Sequence, residues 1–260
     1  MSTSYTLITG ASMGIGEAFA RDFADKGHNL VLVARSRQKM EHLAEELCQK
    51  SGVKVAVCVQ DLSSINASAT VYNFCKERYI KIDVLVNCAG LSWAGSFREI
   101  PLPKMEEIMM VNMKAMAHLT RLFASDMVEQ KKGDIINVAS LGGLQGVPGL
   151  GLYSATKAFV IALSESLYEE LKDQGVNIVV VCPGFIETGF FEHSGHNVKK
   201  IRLPLSDVDV VVKAAVRGLM KRRIRVFPTN FDAILVFLQR LLSRKTVVRL
   251  AGFFAAVDAD

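Results

Sequence analysis

Short apolar runs alternate with helical patterns along most of the chain, and this alternation constrains the fold more than any other feature. Runs that are apolar throughout are typical of strands buried on both faces, as in a parallel sheet. Their alternation with helices predicts an α/β fold: a doubly wound, Rossmann-type parallel sheet of about seven strands with helices on both faces. The predicted strands are 5–9, 30–34, 53–59, 84–86, 135–138, 178–181 and 224–227. The predicted helices are 17–26, 37–50, 65–79, 104–130, 153–173 and 207–222.

Length and composition favour one domain over two small ones. The chain has 260 residues, of which 50% are hydrophobic, so it can bury a sizeable core. It contains no proline- or glycine-rich linker, no low-complexity stretch and no internal repeat. We therefore expect residues 1–227 to form the main domain and residues 228–260 to be a helical extension of it.

A glycine-rich turn joins the first predicted strand to the first predicted helix. Within Thr9–Gly16, the glycines Gly10, Gly14 and Gly16 follow a G-x-x-x-G-x-G spacing. Glycines at such a turn let the backbone approach a phosphate closely, and the helix N-terminus supplies free N–H groups and the positive end of a dipole. The turn therefore predicts a dinucleotide site, and the alternative is a tight turn that binds no ligand.

Three residues in the second half of the chain form a candidate catalytic set. Tyr153 and Lys157 are four residues apart, so on a helix they share one face, and Ser140 precedes the tyrosine by thirteen residues. A nearby ammonium favours a phenolate and would lower the pKa of Tyr153. A serine hydroxyl could then hold a substrate carbonyl beside the phenol.

Taken in order, these motifs resemble those of the short-chain dehydrogenase/reductase family in its compact single-domain form. The resemblance extends to about Phe227 and implies a nicotinamide cofactor and chemistry between alcohols and carbonyls. Residues 1–227 are then expected to bind the dinucleotide and to catalyse the reaction.

The end of the second strand bears on which cofactor is used. In dinucleotide-binding folds an acidic residue there holds the ribose 2′-hydroxyl of NAD. Ala34 stands where the NAD-preferring relatives carry Asp, and Arg35 follows it; Ser36 and Arg37 come next. A guanidinium can pair with a 2′-phosphate, so this pattern favours NADP(H), although many NADP-preferring relatives carry a basic residue at the place of Met13. The alternative for Arg35 is a solvated arginine at a helix start.

The resemblance also implies the other cofactor contacts. Asp61 would meet the adenine amino group and Leu62 the ring, while the turn at 87–90 matches the family's Asn-Asn-Ala-Gly with Cys88 in place of the second asparagine. The Ile186 backbone and Thr188 would hold the carboxamide side of the nicotinamide. The full implied set is Gly10, Ser12, Met13, Gly14, Ile15, Gly16, Arg35, Asp61, Leu62, Asn87, Ala89, Gly90, Tyr153, Lys157, Pro183, Gly184, Ile186 and Thr188.

In the reaction that the resemblance implies, Tyr153 donates a proton to the alkoxide that forms from a ketone or aldehyde after hydride transfer from NADPH. Lys157 would lower the tyrosine pKa and Ser140 would bond the carbonyl oxygen. Asn112, in the helix predicted over 104–130, would hold a local helix distortion and a water on the proton path. Two alternatives are the oxidative direction, as an NADP-dependent alcohol dehydrogenase, and a cofactor-binding regulator of the same fold without turnover.

The substrate region is less well defined by the sequence. Residues 189–204 form an irregular stretch, which in the family is a substrate lid that varies between members. Its aromatic residues indicate an apolar substrate such as an acyl chain or a steroid-like ketone. The candidates for the pocket wall, each of which could instead be core, are Trp93, Leu141, Leu144, Leu150, Phe190 and Phe191.

The C-terminal part is basic and apolar at once. From Lys199 onward there are thirteen Lys or Arg residues against five Asp, a net charge of +8, so the preceding residues sum to −3 in a chain of net charge +5. Leucine, isoleucine and phenylalanine residues from Phe231 to Leu242 follow helical spacing beside Arg240, Arg244, Lys245 and Arg249. Such a helix can lie on a membrane through residues 230–256. The alternative is a subunit contact or pocket cover in a homo-oligomer, a dimer or tetramer.

Other features concern compartment and partners. Five cysteines, an odd number without a C-x-x-C pair, predict buried reduced thiols in a cytoplasmic protein. We expect no secretory signal, no spanning run of about 18 apolar residues and no metal site. The five scattered histidines are expected at the surface or in packing. Nucleic acid is not expected, because the basic residues alternate with large apolar ones; the expected partner is a small carbonyl or alcohol substrate.

Overall fold

Seven parallel strands form one sheet in the order β3-β2-β1-β4-β5-β6-β7 in a computed structural model that describes residues 4–189 and 194–257. Each strand is joined to the next along the chain by a helical connection, which confirms the Rossmann-type prediction. The strands are β1 Tyr5–Thr9, β2 Asn29–Ala34, β3 Val55–Val59, β4 Ile82–Asn87, β5 Gly133–Val138, β6 Val176–Val181 and β7 Arg225–Val226.

Nine α-helices surround the sheet within the described ranges. They are α1 Gly14–Asp25, α2 Arg37–Ser51, α3 Ala67–Glu77, α4 Leu102–Met109, α5 Met116–Glu129, α6 Gly151–Leu171, α7 Val208–Met220, α8 Asn230–Leu238 and α9 Arg244–Ala255. A π-helical segment, Met110–Ala115, joins α4 to α5, and short 3₁₀ turns lie at Phe97–Glu99, Leu141–Gly143, Lys172–Gln174, Val198–Lys200 and Gln239–Leu241.

The strands are uniformly apolar because both faces of the sheet are covered. All six residues of β2 are buried. Leu32 packs into the cluster formed with α1, α2 and α7, while Val31 and Val33 face the cluster formed with α3 and α5. Since successive side chains of a strand point to opposite faces, a run without polar positions is what a doubly covered sheet requires.

Two predicted elements are corrected by the structure. The helix predicted over 104–130 is divided by the π-helical segment. The helix predicted through Leu242 ends earlier, because Leu242 has extended backbone and Ser243 caps a second helix by accepting a hydrogen bond from the N–H of Thr246. The C-terminal region is therefore a pair of helices, α8 and α9.

The strand order changes direction between β1 and β4, which both lie at the centre of the sheet. The carboxyl ends of these two strands therefore diverge into helices on opposite faces and leave a crevice. Every candidate site residue of the sequence lies after a strand end or on the helices beside this crevice.

Candidate active site

A cavity of about 670 Å³ lies at the carboxyl ends of the strands, a volume typical of sites for small molecules. One part of it is bounded by the turns after β1, β2, β3 and β4. The other part is bounded by α8, α9 and the segment from Ser194 to Pro204. We call these parts the sheet-edge half and the C-terminal half. Seventeen of the eighteen implied cofactor residues line the cavity; Asn87 does not.

The glycine turn packs closely against the neighbouring backbone. Gly10 has a φ of +69°, and a Cβ there would lie 2.9 Å from the Cα of Ala89. A Cβ on Gly16 would lie 2.2 Å from the carbonyl oxygen of Gly10, so only glycine fits. Met13, the residue before α1, gives the helix no side-chain cap. The N–H groups in the first turn of α1 are therefore available to an anion.

Basic side chains stand beside the end of β2. Arg35 lines the cavity, and its side chain is 56% exposed, with Nη1 3.4 Å from a carboxylate oxygen of Glu107. Ser36 lines the cavity too, and so does Lys39 in the first turn of α2, a residue that no sequence motif indicated.

Asp61 follows β3 and is held by its own turn. Its Oδ1 accepts hydrogen bonds from the N–H of Ser63 at 2.9 Å and from the hydroxyl of Ser63 at 2.7 Å. Burial raises the pKa of Asp61, but the two hydrogen bonds from Ser63 outweigh it, so the pKa lies below its ordinary value. Asp61 is therefore an ionised acceptor at the cavity wall at neutral pH.

Asn87 does not face the cavity. Its side-chain amide donates to the hydroxyl of Thr120 at 2.9 Å and to the side-chain oxygen of Asn137 at 2.9 Å, all inside the protein. The turn that follows is held differently: the hydroxyl of Thr9 accepts from the N–H groups of Cys88 and Ala89 at 3.0 and 3.1 Å. Asn87 thus ties β4 to β5 and α5, and the cavity wall is formed by the residues after it.

Tyr153 and Lys157 project from the first two turns of α6 into the cavity, and Ser140 approaches them from the end of β5. Nζ of Lys157 donates to the carbonyl of Val138 at 2.9 Å and lies 5.7 Å from the centroid of the Tyr153 ring. The hydroxyl of Ser140 is hydrogen-bonded to Tyr153 and also accepts from the N–H of Gly142 at 3.0 Å. The three side chains are therefore brought together as predicted.

The pKa values of this pair differ from the expectation. Burial raises the pKa of Tyr153 to about 12, and the hydrogen bond with Ser140 offsets only part of that. Burial lowers the pKa of Lys157 to about 8. The expected depression of the tyrosine pKa by Lys157 is not found, because removal of both groups from water opposes their charged forms. At neutral pH the pair is a neutral phenol beside a mostly charged ammonium.

Asn112 lies in the π-helical segment rather than in a regular helix. Its side chain bonds both backbone groups of Leu91, accepting from the N–H at 2.7 Å and donating to the carbonyl at 2.8 Å. It also donates to the hydroxyl of Thr156 at 3.0 Å, and that hydroxyl donates to the carbonyl of Tyr153. Asn112 thus fixes the loop after β4 to the helix that carries Tyr153.

The turn after β6 closes the cavity from the other side. The carbonyl of Pro183 accepts from the N–H of Leu141 at 2.8 Å. A Cβ on Gly14 would lie 3.1 Å from the methyl of Thr188, so the two predicted ends of the cofactor site adjoin each other. A Cβ on Gly184 would lie 2.7 Å from Oδ1 of Asp232 on α8.

The pocket-cover alternative for the C-terminal region agrees with the structure, because α8 and α9 line the cavity. Leu141 and Leu150 line it as proposed, whereas Trp93 and Leu144 are not among its lining residues; Phe190 and Phe191 lie outside the described residues. Wall residues that the sequence did not indicate individually are Gln145, His196, Asp232, Val247, Leu250, Ala251 and Phe254. The capping box from Thr229 to Asp232 marks the start of α8 and does not itself indicate a wall.

His196 packs as expected, yet it borders the cavity. It is buried, its Nε2 is 2.8 Å from the carbonyl oxygen of Ala255, and its ring meets Phe185 edge to face. Burial lowers its pKa, so it is neutral at physiological pH. Among the cysteines, Cys58, Cys75 and Cys182 are buried, but Cys48 is exposed, contrary to the expectation of burial.

Two global features complete the description. Among residues 4–189 and 194–257, no group of three or more His, Cys, Asp or Glu side chains is placed to hold a metal ion. No helix in the same ranges combines the length and the apolar character needed to cross a bilayer.

The chain is similar to known proteins over most of its length. Residues 4–199 match the family described as short chain dehydrogenase. The ketoacyl reductase HetN of Nostoc sp. is 32% identical over 97% of this chain and 89% of its own length. A very-long-chain 3-oxoacyl-CoA reductase of Phaeosphaeria nodorum is 36% identical over 77% of this chain, which spans 58% of that relative.

Solved structures agree in fold and differ in cofactor. A short-chain dehydrogenase from Sphingobium yanoikuyae in complex with NADPH has a TM-score of 0.82 at 34% identity, covering 92% of this chain and 94% of its own. A short-chain dehydrogenase/reductase from Burkholderia phymatum in complex with NAD has a TM-score of 0.80 at 26% identity, covering 91% and 92%. Similar structures thus bind both nicotinamide cofactors.

Proposed function

Because this chain belongs to the short-chain dehydrogenase/reductase family and is an NAD(P)-dependent oxidoreductase, we propose that it uses NADPH to reduce an apolar ketone or aldehyde to an alcohol. One observation carries the proposal. Tyr153, Lys157 and Ser140 line the same cavity as the glycine turn before α1 and a chamber walled by apolar helices. A dinucleotide and an apolar carbonyl compound would meet at the tyrosine.

The residues of the sheet-edge half suit NADPH. The first-turn N–H groups of α1 would bind a pyrophosphate, and Gly10 and Gly16 allow the tight packing of the turn that presents them. Arg35 and Lys39 offer positive charge to a 2′-phosphate, and no acid follows β2 to hold a 2′-hydroxyl. When bound, NADPH supplies a hydride to the carbonyl carbon of the substrate.

The other implied contacts remain part of the proposal. Asp61 and Leu62 would receive the adenine, and Ala89 and Gly90 the adenosine ribose. Ile186 and Thr188 would hold the carboxamide, next to the turn of Pro183 and Gly184. Asn87 supports this site through the structure of β4 rather than through contact with the cofactor.

Tyr153 is the proposed proton donor. With a pKa of about 12 it is a neutral phenol at pH 7, which is the form that can donate a proton to a developing alkoxide. Ser140 would donate a hydrogen bond to the same oxygen as negative charge builds there. The phenolate left behind lies near the ammonium of Lys157, and opposite charge at 4–6 Å favours it. Asn112 positions this helix and would support resupply of the proton through water.

The same residues would serve the opposite direction, in which Tyr153 accepts the proton of an alcohol as hydride passes to the cofactor. Reduction is the leading proposal, and an NADP-dependent alcohol dehydrogenase is the second. A cofactor-binding regulator without turnover would not use the Tyr153 hydroxyl.

The test couples cofactor binding to turnover. The purified chain is titrated with NADPH and with NADH, and NADPH consumption is then followed with apolar ketones and aldehydes. Tyr153→Phe should bind NADPH as the natural chain does and lose turnover by about 10²- to 10⁴-fold. Tyr79→Phe, a change at a fully exposed tyrosine, is the matched control.

Three outcomes separate the candidates. Tighter binding of NADPH than of NADH, with turnover dependent on Tyr153, supports the proposal. Full activity in Tyr153→Phe would contradict the mechanism. Cofactor binding without turnover on any substrate in either direction would favour the regulator.

Assembly and location are also proposals. The similarity to the family supports a dimer or tetramer in the cytoplasm, with residues 228–260 as an extension of the main domain. Light scattering after size-exclusion chromatography measures the assembly.

A further inference from the structure

The helix α8 buries a charged residue and leaves much of its apolar surface exposed, while Leu235 and Val236 are half-buried. Asp232 is its only buried side chain, bonded to the backbone and hydroxyl of Thr229. Ile234 and Phe237, in contrast, are 56% and 60% exposed. A surface helix usually buries its apolar residues and exposes its charges. The apolar side of α8 is therefore available for contact with something outside the chain.

Part of this apolar surface also lines the cavity. We define the mouth face as Ile234, Phe237, Leu238, Leu241, Leu242 and Leu250, all of them exposed. The residues from 234 to 241 follow i, i+3, i+4, i+7 spacing, which puts them on one side of α8 and the turn after it. Leu238, Leu242 and Leu250 also line the cavity, so the mouth face and the apolar chamber are continuous.

Positive charge accompanies the mouth face. Arg240, Arg244, Lys245 and Arg249 are exposed on the same two helices and the turn between them. Among the residues that the structure describes, no carboxylate lies within ion-pair distance of these four side chains. The one described acid on α8 and α9, Asp232, is buried. The surface is thus apolar at its centre and cationic around it.

From this arrangement we infer that the mouth face docks on an anionic lipid bilayer, so that the cavity opens toward the lipid. Apolar side chains would enter the interface while the arginine and lysine side chains meet anionic headgroups. A second copy of the chain fits less well, because pairing this face with itself brings cations against cations. The inference refines the proposed function by giving an apolar substrate a route from the membrane.

The test is flotation of the full-length protein with vesicles of phosphatidylcholine, with and without phosphatidylserine. Binding should require phosphatidylserine and weaken as salt is added. The double variant Phe237→Ser/Leu241→Ser should abolish it. Neither residue lines the cavity, and Leu241 is 70% exposed, so folding and NADPH binding should be unchanged. Met220→Ser, at an exposed methionine on α7, is the matched apolar control and should bind as the natural chain does.

The charge component is tested separately. Arg240→Gln/Lys245→Gln should weaken vesicle binding by about fivefold for each cation removed. Lys213→Gln/Arg217→Gln makes the same change in net charge on α7 and should have little effect. Thermal unfolding and NADPH titration of each variant verify that the fold is intact. Vesicle binding does not depend on catalysis, so it succeeds or fails independently of the proposed reaction.

Two results would overturn the inference. One is absence of binding to phosphatidylserine vesicles, or equal loss in both pairs of charge variants. The other is a dimer that Phe237→Ser/Leu241→Ser dissociates while vesicles leave the natural chain unbound, since the face would then belong to a second copy.

Discussion

The two halves of the cavity are built by opposite means. The sheet-edge half consists of turns that leave buried parallel strands, and its shape is set by backbone contacts such as that between Gly16 and Gly10. The C-terminal half is walled by α8 and α9, and on α8 Asp232 is buried while Ile234 and Phe237 are exposed. We conclude that the shape of the first half is set by backbone at the strand ends, whereas the shape of the second is set by side chains of two helices.

The largest effect is expected from a substitution at Lys157, on α6 outside both halves. Lys157→Met should reduce turnover by about 10²- to 10⁴-fold, since the neutral side chain cannot stabilise a phenolate. At pH 7 it should also raise the free energy of unfolding, on the order of 1–3 kcal/mol, because a buried charge is removed. Urea unfolding and steady-state kinetics measure both.

The pH dependence checks the cause. The pKa of Lys157 is depressed to about 8, so below pH 8 the lysine is charged in both states and the full penalty is present. Between pH 8 and the pKa of lysine in the unfolded chain, Lys157 is neutral in the folded state and still protonated in the unfolded state. The natural chain therefore gains stability as the pH rises through this range. The advantage of Lys157→Met should therefore shrink over this range. A constant difference would contradict the assigned cause.

The next largest effect is expected at the glycine turn. Gly16→Ala places a methyl group 2.2 Å from the Gly10 carbonyl, and overpacking of this kind lowers stability by about 1–3 kcal/mol. The turn must shift to admit the methyl group, so NADPH binding should weaken as well, as measured by fluorescence titration. Gly146→Ala is the control, because a Cβ there meets nothing within 4 Å. Equal loss of NADPH binding in both variants would mean that the close packing at Gly16 does not matter for the cofactor.

Arg35 should have a smaller and selective effect. Arg35→Ala removes a charge-assisted bond worth about 2 kcal/mol, so NADPH binding should weaken by roughly 30-fold while NADH binding changes little. Glu107→Gln should strengthen NADPH binding slightly, because its carboxylate now pairs with Arg35. Arg37→Ala is the control, because Arg37 pairs with Glu41 and does not line the cavity. If Arg35→Ala weakened the binding of NADPH and NADH equally, Arg35 would have no role in binding the 2′-phosphate.

The smallest effect is expected in the C-terminal half. Asp232→Ala removes the capping box of α8 and should lower stability by about 1 kcal/mol. Burial raises the pKa of Asp232, whereas Asn keeps an acceptor without a charge, so Asp232→Asn should be nearly neutral at pH 7. Thermal unfolding measures both variants. A large loss of stability in Asp232→Asn would show that the charged carboxylate itself is needed. The C-terminal half would then depend on one fixed interaction, as the sheet-edge half depends on its glycines.

The sheet-edge half was easier to predict from the sequence than the C-terminal half. The strands and the glycine turn were predictable, because a doubly covered sheet has its own hydrophobic signature and the glycines directly follow its first strand. That the Asn87 side chain points into the protein and away from the cavity was not predictable, since neighbouring residues at a strand end face opposite sides and the sequence does not say which side is the crevice. The π-helical segment at Asn112 was implied only by resemblance.

The C-terminal helices could not be separated from the sequence alone. The apolar spacing from Phe231 runs through Leu242, and no proline or glycine marks the break there. The break comes instead from the serine cap of α9. Residues such as His196 and Leu250 reach the cavity through tertiary packing of distant segments, which no local pattern encodes. The pKa of Tyr153 likewise depended on burial that only the fold reveals.

Gly184, in the turn after β6, lies against Asp232 of α8. A Cβ at 184 would be 2.7 Å from the carboxylate, so a larger residue there requires the Asp232 side chain to move or to be shortened. For protein engineering, this makes 184 and 232 a pair to be randomised jointly when the chamber is redesigned.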